Sequence, residues 1–348
     1  MRILYALPLT GNGHISRASS LYIHLSKYGS VDFLVSGNNS QLKTNLPIIY
    51  TCKGISLQYK KGQIDFQLFI KSLELSELVQ DIRHLKLNDY DLVISDFEPI
   101  TAWACKFQGK KYLHWGHQAS FAYSEVPRPS TFLNIGKIAL EKMVRSEFSF
   151  GHHFTSFHEN ISTSVVKEEI YFSDPIAEDI ICVYLPQYTI EELYSKLHEV
   201  KNIKVHVFHP QVKASISNNN IQFFAVHKKM FDQSLTKCKL LITAGGFEAP
   251  SEAMHLNKRI ISIPIRKHYE QACNAMALQL IGVQVLHSLE ELSKEIIEAE
   301  YSNYGCANYD FMATSPEKAC LSAMTYWSKA NSASVNFRDN IATELSGV

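Results

Sequence analysis

Short apolar runs recur along this chain, and each is followed by residues spaced as one face of a helix. The runs Ile3–Leu7, Val31–Val35, Leu92–Ser95 and Tyr112–Trp115 lack the polar alternation of a half-exposed sheet. They predict strands covered on both faces. Between the first two, Ile15, Ala18, Leu21, Tyr22 and Leu25 repeat at helical spacing, with Gly29 as the expected close of the helix. Residues 65–87 and the stretch through Trp103 and Phe107 also read as helices. This order predicts an α/β architecture built on a parallel sheet with helices on both faces. The pattern weakens over 158–178. A second set then starts at Ile180–Leu185 and continues through Ile203–Phe208, Ile221–Val226, Lys239–Thr243 and Arg259–Ile263. Two Rossmann-like halves follow, and such folds bind ligands at the carboxyl edges of their strands.

The 348 residues carry 34 basic and 34 acidic side chains and are 46% hydrophobic. A chain without net charge lacks the broad cationic surface that grips nucleic acid, so no nucleic acid partner is expected. The apolar start is too short for a signal peptide, and no run approaches the roughly 20 residues that span a bilayer. Seven cysteines without a CxxC pair suit a reducing cytoplasm. Cys105, Cys182, Cys238 and Cys273 fall within apolar patterns and read as small core residues.

Leu240–Thr243, Ala244-Gly245-Gly246-Phe247 and Glu248–Glu252 read as a buried strand, a glycine turn and the start of a helix. Such a turn presents unpaired N–H groups at the positive end of a helix dipole and so suits an anion, foremost a phosphate. Glu252, about one turn in, is placed to accept hydrogen bonds from ribose hydroxyls. Glu270, Gln271 and Asn274 open another helix with groups suited to sugar hydroxyls. In the first half, Thr10-Gly11-Asn12-Gly13-His14-Ile15-Ser16-Arg17 links strand and helix. His14 stands at that helix start, and Asp96 follows its strand onto the same sheet edge. A carboxylate beside an imidazole fixes its tautomer and raises its basicity, as a general base requires.

The glycine turn, Glu252, the strand ending at Pro264, Glu270-Gln271 and Asn274-Ala275 together resemble the nucleotide-sugar site of GT-B glycosyltransferases. The loop Gly11-Asn12-Gly13-His14 resembles that of the peptidoglycan N-acetylglucosaminyltransferases. His14 with a distant strand Asp is similar to the dyad of plant-type UDP-glycosyltransferases. Asp96-Phe97-Glu98-Pro99 and His114-Trp115-Gly116-His117-Gln118 look like those of a little-characterised bacterial and archaeal branch. The resemblance covers nearly the whole chain and is weakest over 40–90 and 120–178.

It implies an acceptor-binding domain over 1–165, a nucleotide-sugar domain over 178–315, and a helix in 316–348 packed back on the first. It implies an inverting, metal-independent transfer to a glycan, lipid-linked or small-molecule acceptor, with a nucleotide sugar, UDP-sugar favoured, as co-substrate and no other cofactor. A cytoplasmic enzyme of cell-envelope polysaccharide synthesis, with peripheral membrane contact where the acceptor is lipid-linked, fits that picture. Gly245, Gly246 and Phe247 would lie near the diphosphate, Glu252 on the ribose, and Glu270, Gln271 and Asn274 on the sugar. Gly11, Asn12, Gly13, Arg17, His117 and Gln118 would line the acceptor and phosphate side. The chain departs from the pattern at Ala244, where plant-type enzymes carry a phosphate-binding His, and at Phe247, where they carry Trp. It departs again at Glu248 and Pro250, where small polar residues are usual. A carboxylate beside a diphosphate is unfavourable unless it points away.

Other readings stay open at this level. His14 fits a structural role, Asp96 fits a helix N-cap, Glu98 competes as base, and Arg17 fits a solvated position. The near-GxGxxG loop has Ser16 in place of the third glycine and no acidic residue ending strand two, which disfavours a dinucleotide. Asp89-Tyr90-Asp91 reads as turn chemistry, and the histidines form no tetrahedral ligand set, so no metal is assigned. Residues 132–144 have helical apolar spacing with lysines and fit a core-facing helix better than a membrane-surface one. A nucleotide-sugar hydrolase, a 2-epimerase or a non-catalytic sugar-binding protein shares this architecture.

Overall fold

The computed structural model describes residues 1–9, 12–37, 44–54, 59–60, 63–64, 75–130, 135–306 and 309–345, with side chains for all of these except 59–60, 63–64, 75 and 333–345. Two seven-stranded sheets dominate it. The first contains β1 (Arg2–Pro8), β2 (Ser30–Ser36), β3 (Ile48–Cys52), β6 (Leu92–Ser95), β7 (Leu113–Gly116), β8 (Phe148–His153) and β9 (Ile161–Thr163). Its order is β3-β2-β1-β6-β7-β8-β9, and every pair is parallel. Two short strands, β4 (Tyr59–Lys60) and β5 (Gln63–Ile64), form a separate antiparallel ribbon.

The second sheet contains β10 (Ile180–Tyr184), β11 (Lys204–Phe208), β12 (Ile216–Asn218), β13 (Ile221–Phe224), β14 (Leu240–Thr243), β15 (Arg259–Ser262) and β16 (Gln284–Val285). Its order is β12-β13-β11-β10-β14-β15-β16, with only the edge strand β12 antiparallel. This is the pair of α/β halves that the alternating runs predict.

The burial pattern explains why the strands read as apolar throughout. Ile3, Leu4, Tyr5, Ala6 and Leu7 of β1 are all fully buried. Successive side chains point to opposite faces. Ile3, Tyr5 and Leu7 therefore join one core with α1 (Gly13–Leu25), while Leu4 and Ala6 join another with Ile100 and Ala104. Two helices follow on that second face, α2 (Leu75–His84) and α3 (Pro99–Phe107). The remaining helices are α4 (Ile135–Lys142), α5 (Glu168–Tyr171), α6 (Ile190–Leu197), α7 (Lys228–Lys237), α8 (Glu248–His255), α9 (Tyr269–Leu280), α10 (Lys294–Ser302) and α11 (Pro316–Leu345).

The last helix starts at a proline, which is tolerated at a first helical position. It returns to the first sheet, where Ala319, Cys320, Ala323, Met324 and Trp327 complete the core around α1. The chain thus passes between the halves twice, and the two passages touch: Val165 bridges Thr314, and Thr163 Oγ1 lies 2.7 Å from Thr314 Oγ1.

Three details differ from the sequence reading. Helix α1 ends at Leu25, before Gly29, because Lys27 and Tyr28 bond back to His24 and Leu25 in tight turns. Of the 65–87 stretch, residues 65–74 lie outside the described residues and the helix spans Leu75–His84. Helix α4 is not simply core-facing, since Leu140 is buried while Ile135 and Ile138 are exposed.

Candidate active site

Parallel strands deliver their following loops to one sheet edge, and here the two carboxyl edges face each other. On the first side, β1 leads through Asn12 into α1, with Gly13 its first residue; Gly11 lies outside the described residues. One turn of α1 separates His14 from Arg17, so both reach Asp96 at the end of β6. His14 Nδ1 lies 3.1 Å from Asp96 Oδ2. Arg17 Nη2 donates to both Asp96 oxygens at 2.8 Å, and the Tyr5 hydroxyl donates to Oδ2 at 3.3 Å. Arg17 Nη2 also lies 3.3 Å from His14 Nδ1; in the tautomer where Nδ1 donates to Asp96, the opposite ring nitrogen, Nε2, is the one free to accept a proton.

Asp96 is fully buried. Burial works against its charge, yet Arg17 and His14 hold the carboxyl well below the usual carboxylate range. The backbone is shaped to deliver it: Phe97, immediately after, sits at φ 58°, a conformation costly for a non-glycine residue. Gly116 of β7 is required by the same close approach, because a Cβ there would stand 2.2 Å from Asp96 Oδ1. Asp96 is not the helix cap. Glu98 is, accepting from the Ile100 and Thr101 N–H groups at 3.0 and 2.7 Å. That duty occupies the carboxylate of Glu98, whose pKa burial pushes up.

On the second side, β14 ends at Thr243, and residues 244–247 turn the chain into α8, whose N-terminus no side chain caps. Gly245 is packed against α9, where a Cβ would meet the Gln271 carbonyl at 3.0 Å. Phe247 stacks on His117 of the first half, with centroids 3.9 Å apart and planes 11° from parallel. Glu248 does not point away from the turn into solvent. Its Oε1 accepts from Arg17 Nη1, so Arg17 is buried between Asp96 and Glu248 and is not the solvated arginine that its surroundings in sequence allow.

Glu252 is buried against Lys167, at 2.9 Å, and Lys167 also reaches Asp232 at 2.6 Å. Burial pushes the Glu252 carboxyl up to about 7, against the pull of Lys167. At the start of α9, Glu270 accepts from Gln118 Nε2 at 3.2 Å, and Gln271 Oε1 accepts from the Ile265 N–H at 2.8 Å. Asn274 donates to the Gly245 carbonyl at 3.1 Å and lies 2.8 Å from His117 Nε2. His117 and Gln118 therefore stand directly against α9.

Between the halves lies a cavity of about 260 Å³. Asn12, Gly13 and Ser16 line it from the first half, Lys167 from the connecting segment. Tyr184, Phe208, Phe231, Gly246, Phe247, Glu252 and Gln271 line it from the second. The aromatic end suits a flat base and the turn end suits an anion.

Asp91 Oδ2 accepts from the Arg2 N–H at 2.7 Å, at the opposite sheet edge, so Asp89-Tyr90-Asp91 is remote from this cavity. Among the described residues no group of three or more His, Cys, Asp or Glu side chains is arranged to hold a metal. Burial lowers His114 to about 4 and His152 to about 3 and also lowers His117 and His153, so these imidazoles are neutral at physiological pH. Cys105, Cys182, Cys238 and Cys273 are buried and unpaired.

A family model described as Glycosyl transferase family 1 matches residues 1–303. The chain belongs to that family. As a member it is a glycosyltransferase, and its two facing sheets are the GT-B fold. The spinosyn forosaminyltransferase SpnP is similar in structure, with a TM-score of 0.56 and 12% identity over 91% of this chain and 96% of SpnP. Arabidopsis thaliana UGT89C1, solved in complex with UDP, matches with a TM-score of 0.53 and 12% identity over 92% of this chain and 94% of its own. Acinetobacter baumannii MurG matches with a TM-score of 0.50 and 14% identity over 93% of this chain and 95% of its own. No curated protein matches in sequence. Among the described residues no helix is long and apolar enough to cross a membrane.

Among the participants missed by sequence reasoning are Tyr5, Gly116, Lys167, and Glu248 as the partner of Arg17. Tyr5 carries a faint signal, a hydroxyl in an otherwise apolar strand. Lys167 follows Val165-Val166, a charge straight after two core residues. The other two depend on contacts between segments far apart in sequence and leave no local trace.

Proposed function

We propose that this glycosyltransferase is inverting and metal-independent, and moves a sugar from a nucleotide-sugar donor to a hydroxyl acceptor. The His14–Asp96 contact at 3.1 Å, beside the cavity that faces the uncapped start of α8, carries this reading. His14 Nε2 takes the proton of the acceptor hydroxyl. The hydroxyl oxygen then attacks the anomeric carbon, and the bond from that carbon to the diphosphate oxygen breaks. Attack from the face opposite the leaving group inverts the anomeric centre. Asp96 holds the imidazole in the right tautomer and stabilises the imidazolium that forms.

The nucleoside diphosphate leaves with its charge beside the N–H groups of Gly246, Phe247 and Glu248 and near Arg17, a fixed polar seat that supports the reaction without a metal. Glu252 with Lys167 takes the ribose end. Glu270, Gln271 and Asn274 take the sugar, and His117 and Gln118 close on it from the first half. Asn12 and Gly13 take the phosphate and acceptor side; Gly11, outside the described residues, is assigned there from the sequence alone. Two halves closing over the donor exclude water and limit hydrolysis. The UDP bound by UGT89C1 supports a nucleoside diphosphate donor, and a uridine one is our proposal.

Proton NMR of the product, with a UDP-sugar donor and EDTA present, tests the reading. A glycoside of opposite anomeric configuration to the donor is expected. Retention, or a reaction that stops with EDTA and restarts with magnesium, contradicts it. Free sugar released at the same rate with and without acceptor assigns the site to hydrolysis instead.

A further inference from the structure

The cations around the cavity are already neutralised. Arg17 faces Asp96 and Glu248. Lys167 faces Asp232 and Glu252, and Lys228 faces Glu169 and Asp232. Among the described residues, Lys167 and Lys228 are the only lysines or arginines lining the cavity itself. An incoming diphosphate would thus enter a site whose carboxylates outnumber its cations. Charges in such a partly dry place interact several-fold more strongly than in water.

The position of Glu248 resolves the conflict. It is the first residue of α8, at the N–H groups where an anion is most stable. Its carboxylate reaches across the cleft to Arg17, and its Cγ approaches the position of a Gly13 Cβ to 3.0 Å. Arg17 is 4% exposed, and its Nε has no hydrogen-bond partner.

We infer that Glu248 is an internal competitor of the donor: its carboxylate occupies Arg17 in the free protein, and the phosphate of the nucleotide sugar binds by taking Arg17 from it. This rests on the nucleotide-sugar reading above. The competitor is switched off by protonation. Burial raises the Glu248 pKa, against Arg17 and His14 and together with Asp96, with Lys167 lowering it from farther off. Burial pushes Glu252, one turn along α8, up to about 7, with the Glu248 charge adding to the rise. Protonation of Glu248 therefore removes the competitor, and a variant that lacks only the Glu248 charge isolates its effect.

The experiment is calorimetric titration of UDP, and in parallel dTDP and GDP, into wild type and Glu248→Gln between pH 5.5 and 8.5. Thermal melting of both proteins serves as a check of folding. At pH 8.5 Glu248→Gln is expected to bind the preferred nucleotide about tenfold more tightly than wild type, which is about 1.4 kcal/mol. The gap is expected to narrow as pH falls. Equal or weaker binding by a folded Glu248→Gln at pH 8.5 overturns the inference while leaving the donor site standing. If no nucleotide binds either protein at any pH, the nucleotide-sugar reading itself falls and this inference with it.

Discussion

At the scale of single residues, the site is organised around one buried arginine. Arg17 orients Asp96, Asp96 orients His14, and Glu248 joins them from the other half. Removing one member of a buried ion pair strands the others without compensation, at a cost of about 3–5 kcal/mol. Arg17→Met should therefore lower the stability measured by urea denaturation by about that amount, and the loss should shrink in Arg17→Met combined with Glu248→Gln. An isolated, exposed arginine would give a change near zero. Much of this centre was legible beforehand. His14 and Asp96 follow from a loop at a helix start and a carboxylate at a neighbouring strand end, both consequences of parallel topology. The partner of Arg17 was not legible, because position 248 is separated from it by most of the chain and the contact exists only across the closed cleft.

At the scale of elements, the sequence misleads most where two polar residues compete for one task. Asp96 and Glu98 flank Phe97 ahead of α3, and either fits the helix cap by spacing. The left-handed Phe97 decides between them, because it turns Asp96 back toward Arg17 and leaves Glu98 over the Ile100 and Thr101 N–H groups. Glu98→Ala should cost about 1–2 kcal/mol of stability through the lost cap. Its kcat should stay within about twofold of wild type, read in parallel assays of denaturation and turnover; a loss of kcat comparable to that of a missing general base would return Glu98 to the reaction. Strand positions are legible because fully buried parallel strands appear as continuous apolar runs. Helix ends are less so. The close of α1 depends on turns around Lys27 and Tyr28, not on Gly29.

At the scale of the molecule, two sheets present their carboxyl edges to one another, and neither half holds the candidate machinery alone. The first brings His14, Arg17, Asp96, His117 and Gln118; the second brings the glycine turn, Glu248, Glu252 and the start of α9. The polar groups expected to meet the donor already have partners across the cleft, Glu270 in Gln118 and Asn274 in His117. Donor binding should therefore exchange contacts between the halves for contacts to ligand. The two α/β halves were legible in the alternation of strand and helix patterns. The adjacency of the two crossing segments at Val165 and Thr314 was not, since an isolated bridge has no periodic signature.

The central claim is that the first half supplies the base and the second half holds the donor. His14→Ala separates the two most directly when UDP affinity and transfer from a UDP-sugar are measured on the same protein. The account predicts UDP affinity within about twofold of wild type and kcat lower by about 10²–10⁴, the usual contribution of a general base. Full turnover by a folded His14→Ala would contradict it.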